Sequence, residues 1–265
     1  VWRGPGPLYL YALRGVVWFI FWIYSAQARP SPLPEWQSAV PLAPQLTPAA
    51  SPLVAADEQI YPRLTIRRML HSRAVWAIAI AHISINWSLY LILSWFPTFV
   101  NREMGVDLQT AGLLALAPTA ISLVMAPAAG RLFDRLVSQG YNRRTIRRAM
   151  QSVAFAGITL AMLTVTLTDS LIISVAVITL SNALGAFSIG GFATNHLDVA
   201  PNQAGLLMGV TNTLAAVSSG ASVFVSGWIQ DVSGGWDAVF YLAALVSVAG
   251  AFVYSLLADV EREFD

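Results

Sequence analysis

Apolar and polar residues along this chain segregate into long blocks instead of alternating residue by residue. Seven apolar blocks reach the ~20 residues a helix needs to cross a bilayer: about Leu8–Ala26, Ala74–Phe99, Ala111–Leu132, Ile146–Leu167, Leu171–Thr194, Ala204–Ile229 and Ala238–Leu257. The polar connections among the last six are short, which predicts antiparallel neighbours. The spacing argues against a β-barrel, whose strands are about 10 residues of alternating polarity.

The polar interval from Gln27 to Arg73 has two parts. From Ala28 to Ala56 it is rich in Pro and Ala, with Pro30, Pro32, Pro34, Pro41, Pro44, Pro48 and Pro52. Such a stretch predicts an extended linker without a core. The charged segment Asp57 to Arg73 predicts a short amphipathic helix at the membrane surface, leading into the second span.

Composition narrows the function classes. Hydrophobic residues make up 56% and charged residues 11%, where an average soluble domain has about 25% charged. A net charge of +1 gives no basic stripe for nucleic acid. There is no Cys, which excludes thiolate metal sites, redox pairs and disulfides. There is no Lys, which excludes a Walker-type phosphate loop and a Schiff base. No cofactor or metal site is expected. The chain begins at Val1 inside an apolar region without a signal-peptide pattern, and is read as a piece of a longer product.

Charge placement sets the orientation. With the first span running outside to inside, twelve Arg fall on the inner side and only Arg3 and Arg102 on the outer side, with Arg14 inside the first span. This places the Pro-rich linker and the C-terminus in the cytosol or its organellar equivalent.

The six spans after the linker divide into two sets of three. The middle helix of the first set begins Gln109-Thr110-Ala111-Gly112-Leu113-Leu114 and ends Gly130-x-x-x-Asp134. That of the second begins Gln203-Ala204-Gly205-Leu206-Leu207 and ends Gly227-x-x-x-Asp231. Three is odd, so the sets must run in opposite senses through the membrane. An inverted three-plus-three repeat is a feature of secondary transporters.

Gly130-Arg131-Leu132-Phe133-Asp134-Arg135 resembles the signature loop of the major facilitator superfamily, although the further basic residues come late, at Arg143, Arg144, Arg147 and Arg148. A narrower resemblance is to the anion:cation symporter family, which includes plant plastid phosphate transporters, sialin and vesicular glutamate carriers. It rests on His82-Ile83-Ser84-Ile85-Asn86-Trp87, Ser94-Trp95-Phe96-Pro97-Thr98 and Asn195-His196-Leu197-Asp198-Val199-Ala200-Pro201. Ala204 to Thr213 and Trp236-Asp237-x-Val239-Phe240 extend it.

The resemblance implies an all-α membrane fold, the six-helix C-terminal bundle of a major facilitator. Residues 1–26 would be helix 6 of twelve, 27–73 the cytoplasmic interdomain linker, 74–257 the bundle and 258–265 a cytoplasmic tail. Helices 1 to 5 would be missing. It further implies secondary transport of an anion, phosphate first, coupled to H⁺ or Na⁺, in a plastid, another organellar or the plasma membrane. The family's strongest anion-binding Arg residues would lie on the missing helices 1 and 4. A different class is a half-transporter serving as an assembly or regulatory subunit.

Several residues carry both a structural and a functional reading. His82, Asn86 and Tyr90 are spaced four apart and share one helix face. They form either a polar stripe satisfied by neighbouring helices or part of the central cavity, where His82 could carry a proton or hold an anion. Vesicular glutamate carriers resemble this chain but have a basic residue where Ile85 stands, which disfavours a glutamate-type site. Asn182 and Asn212 are interhelical glue or cavity ligands. The nearby Gly185, Gly190, Gly191, Gly205, Gly209 and Gly220 are expected to permit close helix packing. Asp134 and Arg135 form either a solvated helix end or a gate in which Asp134 pairs across the domain interface, with Asp231 its outer counterpart. Arg14 is expected to snorkel to the surface. Pro97, Pro118 and Pro127 are tolerated kinks. Asn195-His196-x-Asp198 has too few ligands for zinc and reads as a cap of the inner loop. Ser188 and His196 lie at one helix end, which counts against an intramembrane serine protease.

Overall fold

The computed structural model describes residues 16–17 and 65–264. The first predicted span beyond Val16 and Val17, Arg14 and the Pro-rich linker lie outside the described residues. Among those described, all regular structure is helical.

A four-residue turn of helix, α1 (Ile66–Met69), opens the described segment, capped by the Thr65 hydroxyl. It is all that is described of the expected amphipathic helix. Six helical spans follow, each long and apolar enough to cross a membrane. The first, α2 (Arg73–Met104), starts where the Ser72 hydroxyl accepts from the Val75 N–H at 3.1 Å. It stops at Gly105, whose φ of 65° suits a residue without a Cβ. Its 32 residues span about 48 Å at 1.5 Å per residue, more than the ~30 Å hydrocarbon core.

The second span is broken into α3 (Leu108–Leu114) and α4 (Leu116–Ser138). Asp107 caps it by accepting from the N–H groups of Gln109 and Thr110. The break at Ala115 follows from Pro118, which has no N–H to give the Leu114 carbonyl and whose ring crowds that oxygen. Pro97 and Pro127 lie inside continuous helices.

The third span, α5 (Arg143–Val165), is capped by Asn142. It begins three residues before the apolar block, so Arg143, Arg144, Arg147 and Arg148 are helical and not loop residues. The fourth, α6 (Leu171–Gly185), passes into a 3₁₀ turn at Ala186–Ile189 and ends well short of Thr194. A short helix, α7 (His196–Val199), precedes the fifth span, α8 (Ala204–Ser233), and the last, α9 (Asp237–Leu257).

The packing repeats with inverted symmetry. In the first triplet α2 packs on α8; in the second, the equivalent α6 packs on α4. The pair α5–α6 is matched by α9–α2, and α5–α9 closes the bundle. The two ends of the bundle are set by contacts between its loops. On one, Ser72 donates to Glu263 at 2.5 Å and Arg144 pairs with Asp259. On the other, Glu103, Asp169, Ser233 and Asp237 surround one cavity of about 460 Å³. The first end carries all described Arg except Arg102, in keeping with a cytoplasmic side. Asp134 and Asp231 therefore lie at opposite ends.

Two apolar clusters fill the bundle. The inner one gathers Ile78, Phe155, Phe192, Leu207, Tyr254 and Phe264. The outer one gathers Leu91, Phe96, Phe99, Met162, Ile178, Trp236 and Phe240, with Phe99 edge-on to Phe240 at 5.1 Å. The glycines required for close approach include Gly190 and Gly191 among those expected, and others besides. A Cβ at Gly250 would lie 2.7 Å from the Ser84 Cβ, and one at Gly227 2.7 Å from the Trp95 ring. Gly157, Gly190 and Gly191 are similarly tight, whereas Gly185, Gly205, Gly209 and Gly220 face open space among the described residues.

Candidate functional site

Three polar features interrupt the apolar interior. The first is a cleft of about 200 Å³ where α2, α4, α5 and α6 meet, lined by Ile85, Ser88, Leu89, Ile92, Ser122, Ile158, Ser181 and Asn182. Asn182 Nδ2 donates to the Ile178 carbonyl at 3.0 Å, and Ser122 Oγ donates to the Asn182 carbonyl at 3.3 Å. Ser88 and Ser247 meet at 3.3 Å behind the cleft. None of these lining residues is cationic, so the cleft offers an anion no neutralising charge.

The second feature ties α2 to α8. His82 is 7% exposed, and its Nδ1 lies 3.3 Å from Thr211 Oγ1. The same hydroxyl lies 2.9 Å from His196 Nε2, and His196 Nδ1 faces the Ala193 carbonyl at 3.1 Å. Further out along the same pair of helices, Ser218 and Ser222 donate to the carbonyls of Ile83 and Trp87, and Trp95 Nε1 donates to the Val223 carbonyl. Burial pushes the His196 imidazole below the ordinary histidine value of 6.5; Arg147 adds to this, and backbone hydrogen bonds oppose it.

The third is an ionic network at the Arg-rich end. Arg147 is 2% exposed. Its Nε donates to Asp198 Oδ2 at 2.7 Å, its Nη1 to the Gly190 carbonyl at 3.1 Å and to the Thr194 hydroxyl. The guanidinium carbon lies 4.1 Å from the centre of the Phe133 ring. Arg143 reaches the other Asp198 oxygen at 3.1 Å. These contacts explain why α6 stops early: the segment after it wraps the Arg147 side chain. The tail then folds back over this end. The N–H groups of Glu263 and Phe264 donate to the Val199 carbonyl, and Phe264 is buried. Burial works against the charged form of Asp259, but N–H groups of Glu261 and Val260 and the Arg144 guanidinium outweigh it and hold the carboxyl below its usual range.

The sequence-derived candidates fall in different places. Asn86 Nδ2 donates to the His82 carbonyl, and Tyr90 is 39% exposed. Asn182 lines the cleft; Asn212 is exposed on α8. The structure does not gather these five residues into one pocket. Asp134, Arg135 and Asp231 are exposed, and the Asp134 carboxylate has no hydrogen bond or ion pair to another described residue. The residues with the densest polar contacts, Arg147, Asp198 and Thr211, do not stand out in the sequence. Arg147 is one member of a basic run there, and Asp198 one member of a cap; only the fold shows that they meet.

Comparison with known proteins places this geometry. Residues 1–223 match the family model described as Major Facilitator Superfamily. The chain is 28% identical over 264 residues to "Sodium-dependent phosphate transport protein 1, chloroplastic" of Arabidopsis thaliana, covering 98% of the chain and 49% of that protein. It is equally similar, at 28% over 264 residues, to "Ascorbate transporter, chloroplastic" of the same plant, covering 98% of the chain and 47% of the relative. Human sialin is 28% identical over 269 residues, covering 96% of the chain and 51% of that protein. The chain thus spans about half the length of the curated relatives it matches. With six spans in an inverted repeat and a family match over most of its length, this multi-pass integral membrane protein belongs to the Major Facilitator Superfamily, and its relatives are of the anion:cation symporter type.

Proposed function

We propose that the chain forms the C-terminal half of a secondary active anion transporter that works by alternating access, with inorganic phosphate the first candidate substrate and H⁺ or Na⁺ the coupling ion. The observation that carries this reading is the inverted packing of the two helix triplets around a cleft at α2 and α6. Such repeats place the substrate at the interface of two rocking units near the bilayer midplane. The kinship to a sodium-dependent phosphate transport protein and an ascorbate transporter supports an anionic cargo.

Under this reading the cleft supplies shape and the second N–H of the Asn182 amide, and a partner six-helix half supplies the cationic groups it lacks. The exposed faces of α4 and α8, with Leu123, Val124, Val217 and Phe224 and the open glycines Gly205 and Gly209, are the surface for that half. His82, Asn86, Tyr90 and Asn212 belong to the substrate pathway, and Asp134, Arg135 and Asp231 to the gates.

The test is uptake by the complete transporter, this chain joined to an N-terminal half, in liposomes under an imposed H⁺ or Na⁺ gradient. Phosphate or a small organic anion should accumulate and a neutral sugar should not. Uptake of the sugar with no response to anions overturns the proposal.

A further inference from the structure

Two buried imidazoles share one hydroxyl, and that hydroxyl has a single proton. His196 Nδ1 faces the Ala193 carbonyl at 3.1 Å, an acceptor only, so this nitrogen carries a hydrogen in either charge state. In neutral His196, Nε2 is then a lone pair that accepts from the Thr211 hydroxyl at 2.9 Å, closer than the Met208 carbonyl, the other acceptor in reach of that hydroxyl at 3.2 Å. With its proton committed there, Thr211 Oγ1 presents only lone pairs to His82 Nδ1 at 3.3 Å, so His82 Nδ1 must be the donor. The tautomers of the two rings are thereby locked to one another through Thr211.

We propose that His82, Thr211 and His196 form a proton-binding relay that joins α2 to the α7–α8 corner and serves as the H⁺ site of the transport cycle. His82, 7% exposed, is the entry end and His196, 2% exposed, the inner end. A proton from water adds to His82 Nε2. The His82 Nδ1 proton passes to Thr211 Oγ1, and the Thr211 proton passes to His196 Nε2. His82 ends neutral as the Nε2–H tautomer and His196 ends as imidazolium, so the site gains one proton and no other bond changes. The Thr211 hydroxyl now points to His82, and the lock has reversed.

The surroundings keep this site loosely held. Arg147 from α5 repels charge on His196. Asp198, on the same short helix as His196, is engaged with Arg147 and Arg143. Tyr254 from α9 is reached through Asn195 Nδ2 at 3.2 Å. The Phe192 ring, 4.8 Å from that of His82, covers the pair from the segment after α6. A site that gives its proton back is what coupling requires, since a tightly held proton would stall the cycle.

The inference rests on the transporter reading for its role but not for its chemistry, and two measurements separate them. The chain has three histidines; His71→Gln leaves the two in question. In nanodiscs, with ¹⁵N-labelled imidazoles and at a pH well above the ordinary histidine value of about 6.5, both rings should be the Nδ1–H tautomer. Thr211→Val should move His82 to Nε2–H and leave His196 unchanged, and Thr211→Ser should restore the original pattern. A His82 ring that is Nε2–H in the unmutated relay, or that ignores Thr211→Val, overturns the relay. In the complete transporter, His196→Gln should abolish accumulation driven by a proton gradient while retaining exchange of anion for anion. Proton-driven accumulation that survives His196→Gln overturns the coupling role. Absence of anion exchange in the unsubstituted protein counts against the transporter reading instead.

Discussion

Arg147 and Asp198, 51 residues apart, form a buried ion pair with an Nε–Oδ2 distance of 2.7 Å. The pair fastens α7 to α5, and the remaining Arg147 donors hold the carbonyls that α6 leaves free beyond Gly185. Two charges out of water are tolerable only because nearly every donor and acceptor is matched. Removing one partner strands the other. Asp198→Asn or Arg147→Met should therefore cost about 3–5 kcal/mol, and the double replacement less than the sum. Thermal unfolding in detergent of both single variants and the double variant checks this; additive losses would argue against a coupled pair.

Gly250 and Gly227 mark where helices touch at backbone distance. A Cβ at Gly250 meets Ser84 and Phe155, and one at Gly227 meets the Trp95 ring. Gly250→Val should destabilise the bundle by about 1–3 kcal/mol or more through overpacking. Gly209→Ala, which meets only open space among the described residues, should leave the isolated bundle unchanged. If Gly209→Ala impairs transport in the complete protein at normal bundle stability, α8 packs there on the other half.

Acid should loosen the Arg-rich corner in two windows. The His196 pKa is depressed in the fold below 6.5, so the unfolded chain binds more protons as pH falls below that value. The resulting stability is fully present above about pH 6.5 and declines as pH falls through the folded pKa. Asp259, also depressed, gives a second loss below the carboxylate range, near its usual 3.8. Melting temperatures measured downward from pH 8 should fall in the first window for the unsubstituted chain. His196→Gln should make that window shallower and leave the second.

Asp134 stands exposed at the Arg-rich end of α4, one residue after the Phe133 ring that covers Arg147. If it pairs with the other half only when the inner side is closed, Asp134→Asn should keep the bundle folded and shift the access equilibrium inward-open. Loss of one charge-assisted bond is worth about tenfold in that equilibrium. Slower uptake at equal expression supports the gate; a normal rate identifies a solvated helix end.

Much of the fold is legible in the sequence because bilayer length and loop charge are strong constraints. The six spans from α2 to α9 sit within several residues of the apolar blocks, and the opposite placement of Asp134 and Asp231 follows from the repeated Gly-x-x-x-Asp endings. The helix ends are less legible. The start of α5 hides in its Arg run, since one of those arginines is an interior residue whose partner lies 51 positions away. The site is harder still. Asn212 draws attention as an amide in a Gly-rich helix, yet it is exposed, while the adjacent Thr211 is buried against two histidines. Neighbouring helix positions differ by about 100° in direction, and only the packing of α8 on α2 decides which one turns inward.

The claim that this bundle is one half of an alternating-access carrier is tested most directly at the cleft. The chain has no Cys, so a single Leu89→Cys reports on the cleft wall and Leu160→Cys on the outer surface of α5. In the complete transporter, with other cysteines replaced, both variants are challenged with an impermeant thiol reagent from each side of the membrane, with and without phosphate. The thiol of the Leu89→Cys variant is expected to react from both sides and to be slowed by phosphate, while that of the Leu160→Cys variant is indifferent to it. Reaction of the cleft thiol from one side only, unaffected by phosphate or any other anion, would contradict the account.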